Sequence, residues 1–369
     1  MKRAIVVGTG AVASSHARAY EDPRISKRSK LTAVVDVDES RARSYASEHN
    51  VQNVYDSLDD ALSAERPDLV HICTPPWLHA EQSVSALESG AWVLCEKPPC
   101  ASLAELDAIE HAEHRTGRYC VTVFQWRYGS GMRYVHRTLD DGTFGRALVA
   151  VCNTLWYRGP EYFAVPWRGK WKTEVGGPTV GHGIHLMDSL LWLLGEWVDV
   201  SARTATLDRD IEVEDVSVAT IRFESGALAT VTNSLLSPRQ ETYLRIDCEL
   251  GTVEATGLYS VTNNDWRWTG LPSTVDLGTA GAVKERHADE SKVRFAIPEE
   301  TPMTHAEQTV ALYECMANGA APLTTGRERR RTVDLIASIY KSASTGKIVR
   351  GGSIGKNDPF YESMHPATQ

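Results

Sequence analysis

The chain has 369 residues, enough for two hydrophobic cores of ordinary size rather than one. Its 42% hydrophobic and 24% charged content is that of a folded globular protein, and a net charge of −9 offers nucleic acid no electrostatic footing. Seven cysteines without metal-type spacing argue against a disulfide scaffold, no run nears the ~20 apolar residues that span a bilayer, and a cytoplasmic setting is expected.

Met1-Lys2-Arg3 before an apolar run superficially resembles a signal peptide, but the run is short, glycine-bearing and lacks a cleavage-site pattern. A β-branched strand at 4–7 leads into a glycine-rich turn and a helix over 12–20. A second buried strand covers 31–37, with Asp36 and Asp38 at its end. Helices at 40–48 and 58–64, a strand at 69–73, a helix at 80–89 and a strand at 91–95 follow. Glu96-Lys97-Pro98-Pro99 then precedes an amphipathic helix at 102–114. Alternation of this length predicts an α/β Rossmann domain, with a parallel sheet covered on both faces. Beyond Val121 the rhythm changes. Segments 146–157, 215–224, 227–236, 243–249 and 252–261 are β-rich and mostly joined by tight turns, which predicts antiparallel sheet. One strongly apolar helix over 182–194 interrupts them, and helices near 302–318 and 326–344 close the chain. The α/β Rossmann domain is therefore expected over 1–123 and an α+β domain over 124–369, its last helices packing back toward the first domain. Arg327, Arg329, Arg330 and Arg331 read as the solvated start of a helix.

Gly8-Thr9-Gly10-Ala11-Val12-Ala13 fits G-x-G-x-x-G/A in its required place, after a strand and opening a helix. Gly8 permits the tight turn, Gly10 lets a pyrophosphate approach the backbone, and Ala13 lets helix and sheet pack closely. Asp36 lies where an acid binds the adenine ribose hydroxyls. Its carboxylate repels a 2′-phosphate, so NAD is expected before NADP; Arg41 and Arg43 read as exposed decoration of the next helix.

At Glu96-Lys97-Pro98 the pattern becomes recognisable. With Gly8-x-Gly10 and His16, Cys73-Thr74-Pro75…His79, Gly176-Gly177-Pro178…Gly183-Ile184-His185-Leu186-Met187-Asp188, and Asn318-Gly319…Pro322…Thr325-Gly326, the chain resembles the Gfo/Idh/MocA oxidoreductases almost end to end. The resemblance implies a large open antiparallel sheet in the second domain, pairing through its open face into a homodimer or homotetramer. It also implies a sugar, inositol or related polyol as substrate, oxidised at a secondary alcohol or formed from the ketone. Lys97 then contacts the substrate oxygen and nicotinamide ribose, and His185 is the catalytic base, since neutral imidazole suits that role near pH 7. Thr74, Pro75, His79, Glu96 and Gln125 are expected around the cofactor, with Trp167 and Arg168. Arg127, Trp156, Tyr157, Arg168 and His182 are expected around the substrate, because aromatic faces suit sugar C–H faces and arginine suits hydroxyls or an anion.

One departure stands out. Four residues before the histidine the family often has aspartate; here it is Gly181, so the carboxylate that could pair with His185 is missing. Asp188, three residues after His185, could supply a hydrogen bond instead. No metal is expected: on one helix, steps of three turn ~300° each, so His182, His185 and Asp188 converge poorly. The alternatives are an NAD-dependent, redox-assisted glycoside hydrolase, which no paired-carboxylate signal requires, and a catalytically silent NAD-binding sensor.

Overall fold

The computed structural model describes residues 1–270, 292–294 and 299–365. Six strands make a parallel sheet: β1 (Lys2–Val7), β2 (Ser29–Val35), β3 (Asn53–Tyr55), β4 (Leu69–Ile72), β5 (Trp92–Cys95) and β6 (Cys120–Thr122), ordered β3-β2-β1-β4-β5-β6. The inner strands β1, β4 and β5 are short and nearly all apolar because helices cover both faces. Strand order reverses between β1 and β4, and ligands of doubly wound sheets lie outside the carboxyl ends at such a point. Gly8, Cys73-Thr74 and Glu96-Lys97 follow β1, β4 and β5, so all three reach that edge.

The second sheet has nine strands: β7 (Ala147–Tyr157), β8 (Trp197–Ala205), β9 (Val216–Phe223), β10 (Leu228–Ser234), β11 (Leu236–Cys248), β12 (Gly251–Gly257), β13 (Trp266–Gly270), β14 (Lys292–Arg294) and β15 (Val349–Arg350). Their order is β14-β13-β12-β11-β7-β10-β9-β8-β15. The sheet is antiparallel as expected save for one pair, β7 and β10, which run parallel with Leu228 opposite Val149 and Ser234 opposite Leu155. Parallel neighbours need a long crossover. Here the chain leaving β7 forms the helix Ile184–Leu194 and strands β8 and β9 before returning as β10. The two segments expected at 227–236 and 243–249 become β10 and a 13-residue β11, whose register breaks between Leu236 and Glu241, around Pro238. The helix Ser130–Asp140 and strand β8 carried no signal that the sequence reading caught.

The last helices pack on both sheets. Val310, Leu312 and Tyr313 of the helix His305–Asn318 share a core with Ala4, Leu69, Trp92, Leu94 and Val121 of the parallel sheet. The backbone carbonyl of the edge residue Thr122 accepts from Gln308 (2.7 Å) and Thr324 (2.8 Å). The expectation of a solvated arginine cluster is corrected here. Arg329, on the helix Gly326–Thr345, is fully buried and bonds Glu113 (2.8 Å) and the Cys120 carbonyl (2.6 Å). Arg330 reaches Asp107 and Glu110, and Arg331 bonds Glu196 and Glu328. Asp107, Glu110 and Glu113 form one acidic row on the helix Leu103–Thr116, and Arg329 and Arg330 face it. Only Arg327 stands largely in solvent.

Candidate active site

Gly8 adopts φ +84°, and a Cβ there would lie 2.8 Å from the Cys73 carbonyl and Thr74 nitrogen, so no larger residue fits the turn. A Cβ on Gly10 would meet nothing within 4 Å, leaving that backbone open to a pyrophosphate. Ala11 and Val12 are exposed beside it, and Ala13 is buried against the sheet. Asp36 accepts from the Thr9 N–H and hydroxyl, both at 2.8 Å, which ties the loop to the end of β2. Burial opposes its charge, but Arg41 (2.6 Å) and backbone N–H groups outweigh burial and hold the carboxyl at about 2. Arg41 is thus an ion-pair partner of Asp36 rather than loose decoration, while Arg43 pairs with Glu39 on the exposed helix face. Thr9, Gly10, Ala11, Asp38 and Arg41 line a cavity of about 380 Å³. The glycine turn that excludes a side chain and the open Gly10 backbone fit the pyrophosphate of a dinucleotide, while both Asp36 oxygens are engaged by Thr9, Asp38 and Arg41.

Across the crevice, Lys97 Nζ donates to the Gly181 carbonyl (2.6 Å), which joins the end of β5 to the segment carrying both histidines. The position of the missing aspartate therefore still meets the lysine, through its backbone. His182 and His185 are buried, and the Nδ1 of each has no partner among the described residues. Burial first, then the Lys97 charge, pushes both imidazoles well below their ordinary 6.5, so both are neutral. Burial also lowers Lys97, against the attraction of Glu96. His182 Nε2 lies 3.4 Å from the Tyr162 hydroxyl, and its ring meets Trp156 edge-on at 5.0 Å. Arg168 bonds Tyr162, stacks over the Tyr162 and Trp167 rings, and pairs with Glu174 (3.1 Å).

Gly176 and Gly177 make this arrangement possible. A Cβ on Gly177 would fall 1.8 Å from the Glu214 carbonyl, and one on Gly176 would fall 2.1 Å from the Tyr340 hydroxyl. Buried Glu214 accepts from the Gly177 (3.0 Å) and Thr179 (3.2 Å) N–H groups and from Tyr340 (2.9 Å). Val175, just before, takes φ +74°, a strained conformation for a β-branched residue. The glycine pair was visible as a motif. Glu214, Tyr162 and Glu174 were not, because nothing local marks them.

Other expected residues are placed differently. Arg127 is fully buried: Nε and Nη2 bond Asp188 at 2.7 and 2.6 Å, and Nη1 bonds Glu328 at 2.5 Å. Its fork is saturated by carboxylates, so the expected substrate contact is withdrawn. The same pair uses Asp188, which bonds Arg127 and Thr332 instead of His185. His79 spends both ring nitrogens on the Pro98 and Thr74 carbonyls (2.6 Å each), bracing the loop that ends β4. Thr74 bonds Gln82 (2.6 Å), and Pro75 leads into the short turn Pro76–Leu78. Gln125 follows β6 with a buried Oε1 that has no partner among the described residues. Trp156 donates to Thr242 (3.0 Å), while Tyr157 is exposed, under Arg209.

Glu96 is buried behind Lys97. Its Oε1 meets His16 Nε2 (3.1 Å) and His305 Nε2 (2.9 Å), and its Oε2 accepts from the Lys97 N–H (3.3 Å). Burial resists the charge, yet the two imidazole bonds keep the carboxyl well below its usual range. His16 continues to His71 (2.9 Å), and His71 to Tyr20 (2.8 Å). His16, Glu96 and His305 are metal-ligand types with atoms within 4.8 Å of one another, but the two imidazoles already engage the carboxylate.

Residues 2–124 match the model of the oxidoreductase family with an NAD-binding Rossmann fold, and residues 132–254 match the GFO/IDH/MocA C-terminal domain. The chain is 25% identical to a D-apiose dehydrogenase of Paraburkholderia graminis, over 97% of this chain and 92% of that one. It is 30% identical to inositol 2-dehydrogenase 3 of Saccharopolyspora erythraea, over 79% and 80%. Among solved structures, the WlbA dehydrogenase of Bordetella pertussis, in complex with NADH and UDP-GlcNAcA, superposes with a TM-score of 0.80. It shares 27% identity, over 94% of this chain and 98% of that one. The parallel sheet, the glycine turn and the two matched models agree: the chain belongs to the GFO/IDH/MocA family of NAD-binding oxidoreductases.

Proposed function

We propose that the protein oxidises a secondary alcohol of a sugar, inositol or related polyol, or reduces the matching ketone, with NAD as the hydride carrier. The observation that carries this reading is the placement of Lys97, held on the Gly181 carbonyl, beside two neutral histidines at the carboxyl edge next to the Gly8 turn. NAD supplies hydride acceptance when it is bound by the Gly8 loop and Asp36. The chain's own groups handle the oxygen and its proton. The Lys97 ammonium stabilises alkoxide-like charge on the substrate oxygen, and the neutral His185 imidazole takes the hydroxyl proton. The buried surroundings keep His185 neutral, and so free to accept a proton near pH 7, while lowering its basicity. Trp156, Tyr162 and Trp167 offer ring faces for a sugar, and Gln125 Oε1 offers a buried acceptor to cofactor or substrate.

The relatives' names support the substrate class, since they include dehydrogenases of apiose and inositol. We place the protein in the cytoplasm, as a homodimer or homotetramer through the outer face of the nine-stranded sheet, where Val218 and Leu228 stand exposed. No helix among the described residues is long and apolar enough to cross a membrane.

The test is NADH formation, followed by absorbance, across aldoses, inositols and their acids. Activity lost in both Lys97→Ala and His185→Ala, with NADH still bound, supports the reading. Release of free sugar from glycosides without net NADH would replace it with hydrolysis.

A further inference from the structure

We propose that the substrate carries an acid group, a carboxylate or a phosphate, and that Arg158 is the residue that grips it. The inference rests on the oxidoreductase reading above and narrows its substrate class.

Arg158 follows β7 and lies at the centre of an aromatic box. Its guanidinium carbon is 5.0 Å from the Trp156 ring centre, 5.3 Å from Tyr162 and 5.8 Å from Tyr259. It donates from Nη1 to the Tyr157 carbonyl (2.8 Å), and among the described residues no carboxylate lies within ion-pair distance of it. This sets it apart from the protein's buried arginines: Arg127, Arg329 and Arg331 each hold one or more acids. A half-buried guanidinium fixed among rings, with most of its fork unused, is built to receive a planar or tetrahedral anion.

The charge balance of the pocket points the same way. The Trp156 and Tyr162 rings that hold Arg158 also hold His182, at 5.0 and 5.7 Å, and the Tyr162 ring carries Arg168 at 3.8 Å. Lys97 binds the carbonyl of Gly181, the residue just before His182. Three cations thus surround one imidazole. Glu174 answers Arg168 and Glu96 attracts Lys97, which leaves Arg158 as the cation without an acid of its own. Oxidised nicotinamide adds a further positive charge when it binds. Alkoxide-like charge on the substrate oxygen occupies Lys97 alone and leaves Arg158 uncompensated. A substrate that brings its own negative charge removes the mutual repulsion and fills the free fork. The buried, unpartnered Nδ1 of His182 then has a neighbouring oxygen within the same box.

The experiment compares sugars that differ only in the acid: glucose with glucuronate and glucose 6-phosphate, and galactose with galacturonate. Binding is read from quenching of NADH fluorescence in the protein–NADH complex, which does not require turnover, and oxidation is read in parallel with NAD. One acid binds at least about 30-fold tighter than its neutral partner, and the carboxylate and phosphate arms tell which group it is. Arg158→Gln erases that preference, Arg158→Lys retains part of it, and the Kd for NADH stays within about twofold in both. A neutral sugar bound as tightly as its acid, or a preference that survives Arg158→Gln, overturns the proposal. Oxidation of neutral sugars alone would sink this inference and leave the dehydrogenase reading standing. Failure of every sugar both to bind and to be oxidised would sink the two together.

Discussion

At Gly181 a backbone oxygen occupies the place of a side-chain carboxylate, and the exchange changes what Lys97 can do. A carbonyl accepts the Lys97 hydrogen bond without offsetting its charge, and burial lowers the lysine below its ordinary 10.5. His185 is likewise pushed below 6.5. In the proposed chemistry the active form has His185 neutral and Lys97 charged. The plot of kcat/KM against pH therefore rises through a limb below pH 6.5 and falls through one below pH 10.5. A Cβ at Gly181 would meet nothing within 4 Å, so Gly181→Asp should fold with stability close to the parent. An adjacent carboxylate favours the charged lysine, so the alkaline limb of that variant moves upward, by about one pH unit or more. An unmoved limb would mean that Lys97 is not the group that titrates. The departure at Gly181 was legible in the sequence. Its consequence was not, because a backbone atom leaves no mark in a motif.

Elements were legible where the reason for them is local. The glycine turn, the apolar strands β1, β4 and β5 and the apolar helix Ile184–Leu194 follow from residues within reach of one another. The arginine row on the helix Gly326–Thr345 failed for the opposite reason: the acid that buries Arg329 lies 216 residues away on the helix Leu103–Thr116. Composition alone assigns such a row to solvent. The two neighbouring arginines now differ in a measurable way. Arg329→Ala leaves Glu113 without its partner in a buried setting and should cost about 3–5 kcal/mol in urea unfolding. Replacing both partners, Arg329→Met with Glu113→Leu, recovers only part of that loss, because the buried Cys120 N–H and carbonyl also lose their partners. Arg330 is 38% exposed at its side chain, so Arg330→Ala should cost no more than about 1 kcal/mol after solvent screening. Equal losses at the two positions would show that burial does not govern this contact. The parallel pairing of β7 with β10 was hidden in the same way, since hydrophobic alternation does not report which strand lies beside which.

For the molecule as a whole, the helices from the end of the chain join the two sheets by an apolar core, by bonds to β6 and by ion pairs. Heating should therefore give one transition, coincident by circular dichroism and tryptophan fluorescence. NAD at 100 times its Kd should add about 2.7 kcal/mol to the whole protein. Two separated transitions, with NAD moving only one, would show that the halves unfold independently. The helix His305–Asn318 also sets an order in time. A ribosome delivers the parallel sheet first, at roughly 5–20 residues per second. About 180 residues then separate β6 from that helix, so synthesis runs for about 9–36 s before the cover arrives. Throughout that interval Leu69, Trp92 and Leu94, buried in the finished protein, have no partner from the far end of the chain. The nascent sheet offers an open apolar surface to chaperones, or to a neighbouring nascent chain, until that helix has been made. The cofactor-binding sheet is made well before the helix that completes its core.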